Sequence, residues 1–187
     1  MVLFNDIIDD INTGLKANLS WLDKAFGQSQ TVIKPVNGVN YKVPCVYVGS
    51  TRKNFADDYI EVSPDAKIGN FSFITLHEPN EVGWNDNVQG YVTTPFSITF
   101  WFDLRKIFGT SDNRNIDGLK AEILRELNGG FMLRNGKLRI NRIYETAQGV
   151  YKGYTLDETR NQYMMHPYGA LRFEGELKVL EPCYNPT

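Results

Sequence analysis

The stretch Leu171-Arg172-Phe173-Glu174-Gly175-Glu176-Leu177-Lys178-Val179 alternates without a break. Its odd positions are apolar or glycine, and its even positions are all charged. Successive side chains of a strand point to opposite faces, so this pattern belongs to a sheet with one dry face and one wet face. A second, longer run has the same period. Phe96, Ile98, Phe100, Phe102 and Leu104 fall on one side, with Ser97, Thr99, Trp101 and Asp103 on the other. The first row is expected in the core.

Helical periods flank these strands. Leu3, Ile7, Ile8, Ile11, Leu15, Leu19 and Leu22 recur at three- and four-residue spacing, with Asp6, Asp9 and Asp10 off the stripe. Asn5 suits the N-cap, and Gly27 is expected to end a helix over 4–25. Ile116, Leu119, Ile123, Leu124 and Leu127 give a second helix over 115–127, stopped by Asn128-Gly129-Gly130. Between them lies a hairpin over 31–48. Its arms Val32–Val36 and Val39–Val43 flank Asn37-Gly38, the strongest short hairpin signal. Pro35 and Pro44 cannot donate to a ladder, which puts this hairpin at an edge or projecting from the body.

Shorter strands are expected at Cys45–Val48, Tyr59–Val62, Phe71–Leu76 and, after Asn135-Gly136, at Leu138–Tyr144. Gly49 to Asp58 and His77 to Gly90 read as polar loops, the latter carrying Trp84. Turns fall at Ser63-Pro64-Asp65 and Gly109–Asp112. Thr155-Leu156-Asp157-Glu158 has the form of a capping box for a short helix to Met165, with an extended excursion as the alternative. Residues 171–180 form the final strand, and Glu181–Thr187 form a tail. Strands joined by tight turns pair antiparallel. Residues 1–187 therefore read as a single α+β domain: an antiparallel twisted sheet, two main helices packed on one face, and a projecting β-hairpin. The opposite face is expected to carry Ser97, Thr99, Trp101, Arg172, Glu174, Glu176 and Lys178 to solvent.

Composition narrows the function classes. The 187 residues are 42% hydrophobic and 22% charged, enough for one domain with a real core. Formal net charge is −2, which disfavours a strongly basic nucleic-acid face. Cys45 and Cys183 are too few for a disulfide framework and read as free thiols. The start Met1-Val2-Leu3-Phe4-Asn5-Asp6 lacks the cationic segment of a signal peptide, and no apolar run reaches membrane-spanning length. The expectation is folding in the cytoplasm.

No residue set announces chemistry. His77 and His166 are the only histidines, and with two cysteines they do not make a zinc site. An enzyme would need a pocket that sets one of them against a carboxylate. Asn113-x-Asn115-x-Asp117-Gly118 mimics the first half of a calcium loop, but Leu124 stands where the bidentate Glu belongs, so a helix cap is expected instead. There is no phosphate loop. Arg134, Lys137, Arg139 and Arg142 cluster, and a solvated strand face accounts for them; an acidic protein surface or nucleic acid is the other reading. The pairs Asp57-Asp58 and Glu174/Glu176 show no split in environment of the kind an acid–base pair requires. No catalytic residue, metal ligand or cofactor is singled out.

The order of elements resembles a known family. An N-terminal amphipathic helix, a hairpin, a long strand from Ser97 to Leu104, a helix from Ile116 to Leu127 and a final alternating strand are similar to the tail-terminator and head–tail joining proteins of tailed bacteriophages. In that family the last strand often reads like Leu171–Val179. This chain departs by extra length at His77–Gly90 and Gln148–Tyr168. The resemblance implies a structural virion protein of a phage or prophage, assembled in the host cytoplasm. It implies a ring of its own copies, hexameric by preference, that joins tail-tube and head-connector proteins while DNA passes without sticking. A closing ring needs two different complementary patches on each subunit. The candidate contacts are Val36, Val39 and Tyr41 on the hairpin, with Trp84 and Trp101 as aromatic anchors. A non-enzymatic binding or scaffold domain of another system, and a small enzyme, are the competing classes.

Overall fold

The structure, a computed structural model, describes residues 4–49, 59–85, 89–110, 112–134, 136–156 and 161–180. Most of the polar stretch before Tyr59, the second half of the expected capping box, Ser111, Asn135, Cys183 and the tail from Glu181 lie outside them. The chain runs as α1 (Phe4–Asn18), β1 (Lys24–Val36), β2 (Val39–Tyr47), β3 (Tyr59–Glu61), β4 (Phe71–Leu76), β5 (Glu81–Asn85) and β6 (Gln89–Asp103). It continues through α2 (Leu104–Phe108), α3 (Ile116–Arg125) with a π-helical turn Glu126–Gly130, β7 (Gly136–Tyr144), α4 (Ala147–Val150) and β8 (Tyr168–Leu180).

The α+β fold is as expected. The strands form one sheet in the order β3-β2-β1-β4-β6-β8-β7, with β5 also paired to β6. β6 and β8 pair along thirteen residue positions, from Tyr91↔Leu180 to Asp103↔Tyr168, and make the spine. Pairing is antiparallel except between β1 and β4, which run parallel. The exception follows from connectivity. β2 and β3 add on the outer side of β1, so β4 returns to its inner side by a crossover and not by a tight turn.

Both main helices cover one face. Ile7, Ile8, Ile11 and Leu15 of α1 join Leu119 and Ile123 of α3 over Ile98, Phe100, Phe102, Leu171, Phe173 and Leu177. Each such burial stabilises by about 2 kcal/mol. The two alternating rows that decide the fold thus meet in one core. α1 stops at Asn18, short of the expected end near Gly27. Leu19 and Leu22 continue the stripe as buried loop residues, and Gly27 lies inside β1. The Asn18 amide donates to the Glu126 carboxylate and to the Gly130 carbonyl, which ties the end of α1 to the end of α3. Asn115 caps α3: its Oδ1 accepts from the Gly118 N–H at 3.0 Å.

The opposite face differs from expectation. A second core covers part of it, built from Val46, Phe71, Phe73, Trp101 and Ala170 of the sheet, with Val62, Val150 and Tyr151. Ser97, Thr99, Trp101 and Arg172, expected in solvent, are all buried. The covering segments are the stretch after β3, the chain around α4 and the residues ahead of β8. Tyr154 reaches the Ser29–Thr75 hydroxyl pair, and the Thr155 N–H donates to the Lys42 carbonyl at 2.8 Å. Only the outer part of this face, with Glu176 exposed and Glu174 and Lys178 half-buried, stays wet.

Candidate functional site

Two β-arms leave the body. The first is the far half of the β1–β2 hairpin, where Asn37 (φ 51°) and Gly38 (φ 79°) both take positive φ, as the favoured two-residue hairpin turn requires. Every residue from Gln30 to Asn40 is exposed, and Tyr41 is half-buried. Ile33 is 59% exposed and Val39 53%, and Val32 and Val36 are exposed beside them. Apolar side chains in such number on one ribbon lack the stabilisation that burial gives.

The second arm is β5 with the start of β6. The loop expected from His77 to Gly90 thus contains a strand pair, with Glu81↔Thr93 and Trp84↔Gly90 in register. One face is sealed: the Tyr91 ring lies across Gly83, where a Cβ would come within 2.4 Å of it, and Lys178 Nζ sits 3.4 Å over that ring. The other face presents Val82 at 72% and Trp84 at 63% exposure. Of the candidate contacts, Val36, Val39 and Trp84 are therefore exposed on arms and Tyr41 is partly so. Trp101 is a correction. It is fully buried in the second core, stacked on Phe71 and Tyr168, with its Nε1–H donating to the Tyr163 carbonyl at 2.7 Å. It cannot anchor a neighbour.

Sequence reading missed a cleft on the wet part of the sheet, of about 510 Å³. Its geometry depends on a bulge in β7. Ile140 opposes Gly175, but Arg142 opposes Glu174, so Asn141 is the extra residue. A bulge flips the alternation beyond it. Arg142 consequently joins Lys137 and Arg139 on the wet face instead of entering the helix-side core. Arg134 leaves that basic group: its backbone N–H and its guanidinium both bind the Asp10 carboxylate on α1.

The floor of the cleft is Arg172. Its Nη2 pairs with Glu174 at 2.8 Å and also lies 3.3 Å from His77 Nε2, and its Nη1 donates to the Lys152 carbonyl at 3.1 Å. A guanidinium only donates, so Nε2 is an acceptor and the imidazole proton belongs on Nδ1. Ser97 Oγ lies 2.9 Å from the same Nε2. This is not an activated serine. The lone pair that would take its proton already receives the guanidinium, Glu174 pairs with Arg172 and not with Nδ1, and Ser97 is only 1% exposed. His166 lies exposed ahead of β8. Among the described residues, no three His, Cys, Asp or Glu side chains gather as a metal site, and no helix is long and apolar enough to cross a membrane.

Burial, then the charge of Arg172, holds the His77 imidazole below its ordinary value, with Glu174 opposing. The folded state thus binds the proton less well than the unfolded chain. Stability from this group is complete above the unfolded value of about 6.5 and is lost as pH falls below it. Urea denaturation between pH 7.5 and 5 is expected to show this loss, and His77→Gln is expected to flatten it. An unchanged slope in the variant would assign the loss to other groups.

No protein-family model matches this chain, and no curated protein sequence matches it.

Proposed function

We propose that this chain is a structural assembly protein that forms closed rings of its own copies, as a tail-terminator or head–tail joining protein of a tailed phage or prophage. The observation that carries this reading is the exposed, apolar far half of the β1–β2 hairpin. A ribbon of that kind gains its stabilisation only by lying on another surface. The β5 arm, with Val82 and Trp84, supplies a second and different patch. Two unlike patches on one subunit are what a heterologous, ring-closing contact needs. The element order supports the phage assignment through the family resemblance, and six copies is the preferred ring. The tail tube and the head connector are its partners, and a net charge of −2 suits a ring through which DNA slides. Its place is the virion.

Light scattering coupled to size exclusion tests the reading, on the chain alone and with purified tail tubes. Rings, or addition to tube ends, are expected. Ile33→Asp with Val39→Asp is expected to abolish both while leaving the melting temperature nearly unchanged, because exposed substitutions move stability by only about 0.5 kcal/mol. A chain that stays monomeric at every concentration and ignores tail tubes overturns the proposal.

A further inference from the structure

We propose that the cleft between β7, β8 and the loop after α4 binds an oxyanion, either a carboxylate or a phosphate. This site does not depend on the assembly reading. Arg142 enters the cleft from the β7 bulge and Lys152 from the loop after α4. Both are exposed, and neither makes an ion pair among the described residues. The floor adds a third cation, Arg172. Its partners are Glu174, His77 and the Lys152 carbonyl, and its buried Nε–H has no hydrogen-bond partner.

The acceptors fall short of these donors. Glu174 is committed to Arg172, and Glu176 is the one other carboxylate in the lining. Three cations against two carboxylates, with His77 held neutral, leave the cleft positive on a chain that is negative overall. An anion placed between Arg142 and Lys152 would receive charge-assisted hydrogen bonds from two elements at once, which is how proteins hold carboxylates and phosphates. The cavity exceeds the volume of a bare oxyanion, so the group it takes is carried on a larger ligand or chain.

Calorimetric titration at fixed ionic strength tests this in two arms. Inorganic phosphate and phenyl phosphate form one arm, acetate and succinate the other. Saturable binding in at least one arm is expected, and the arm that saturates more tightly names the anion class. Arg142→Gln and Lys152→Gln are each expected to weaken it about tenfold or more, the scale of one charge-assisted hydrogen bond. Lys137→Gln, on the same strand but outside the lining, is expected to change it less than about twofold. All three sites are exposed, so an unchanged melting temperature verifies the fold. Bound anion should also raise the apparent pKa of the His77 ring followed by NMR, as a negative charge nearby does. Absence of saturation in both arms overturns the site. Equal weakening by Lys137→Gln and the cleft variants also overturns it, because that is diffuse surface charge.

Discussion

Trp101→Ala is expected to destabilise the protein by about 3–5 kcal/mol, the range for deleting a fully buried indole. The second core is built around this side chain. Trp101 stacks on Phe71 with ring centroids 5.6 Å apart and on Tyr168 at 5.3 Å, and meets Tyr163 edge-on at 6.3 Å. Aromatic pairs of this kind contribute about 0.5–1.5 kcal/mol each beyond area burial. The indole N–H also holds the Tyr163 carbonyl, so the side chain fastens the segment leading into β8. Its loss leaves Phe71, Tyr163 and Tyr168 packed around a void, and the chain leading into β8 is expected to loosen first. Urea denaturation measures the total, and hydrogen exchange across 161–168 locates it. Trp101→Phe keeps most of the stacking but orphans the carbonyl, at a cost of about 1–3 kcal/mol. A loss below about 1 kcal/mol for Trp101→Ala would mean that the second core contributes little.

This residue shows where sequence reading stops. The row Ser97, Thr99, Trp101, Asp103 reads as a wet face because three of its four members are polar. The cover that buries it comes from distant segments whose own patterns are irregular, and periodicity within one strand carries no information about a remote lid. A signal did exist in β4. Phe71 and Phe73 oppose Trp101 and Thr99, while Ile74 and Leu76 oppose Ile98 and Phe96. That strand is apolar on both faces, which a sheet covered on one side does not require. The tyrosines at 151, 154 and 163 were the matching lid.

The helix-side core, by contrast, was legible residue by residue, because α1, α3, β6 and β8 each carry an unbroken period. The hairpin was legible because Asn37-Gly38 specifies its own turn. The cleft was not, although its cause is written in β7. Leu138 and Ile140 are two apart, and the next apolar residue, Ile143, is three further on. That skipped step is the bulge, and it decides that Arg142 faces the cleft and not the core. His77 and Arg172 are ninety-five positions apart in the chain, and only the pairing of β4, β6 and β8 brings them together.

Gly175 is where the bulge and the alternating strand depend on each other. Among the odd positions of 171–179 it is the one without a side chain, and the reason is steric. A Cβ there would lie 1.9 Å from the Arg139 carbonyl oxygen, 2.8 Å from its carbon and 3.0 Å from the Ile140 Cα. These are backbone atoms of β7, held in the β7–β8 ladder, so no rotamer change relieves the contact. Gly175→Ala must either push β7 away or erase the bulge, and erasing the bulge would turn Arg142 toward Phe173 and the helix-side core. The expected loss is about 3 kcal/mol or more, at the upper end for overpacking. Anion binding by the cleft is expected to fall with it, even in the fraction that remains folded. Gly27→Ala is the control: it also lies within a strand, but nothing stands within 4 Å of its added methyl group. Replacing that glycine is expected to be neutral or to stabilise by about 0.5–1 kcal/mol, since alanine has less backbone freedom to lose on folding. Thermal and urea unfolding of the two variants side by side gives the comparison. Equal stability for both would show that β7 passes β8 without the close approach on which the cleft is built.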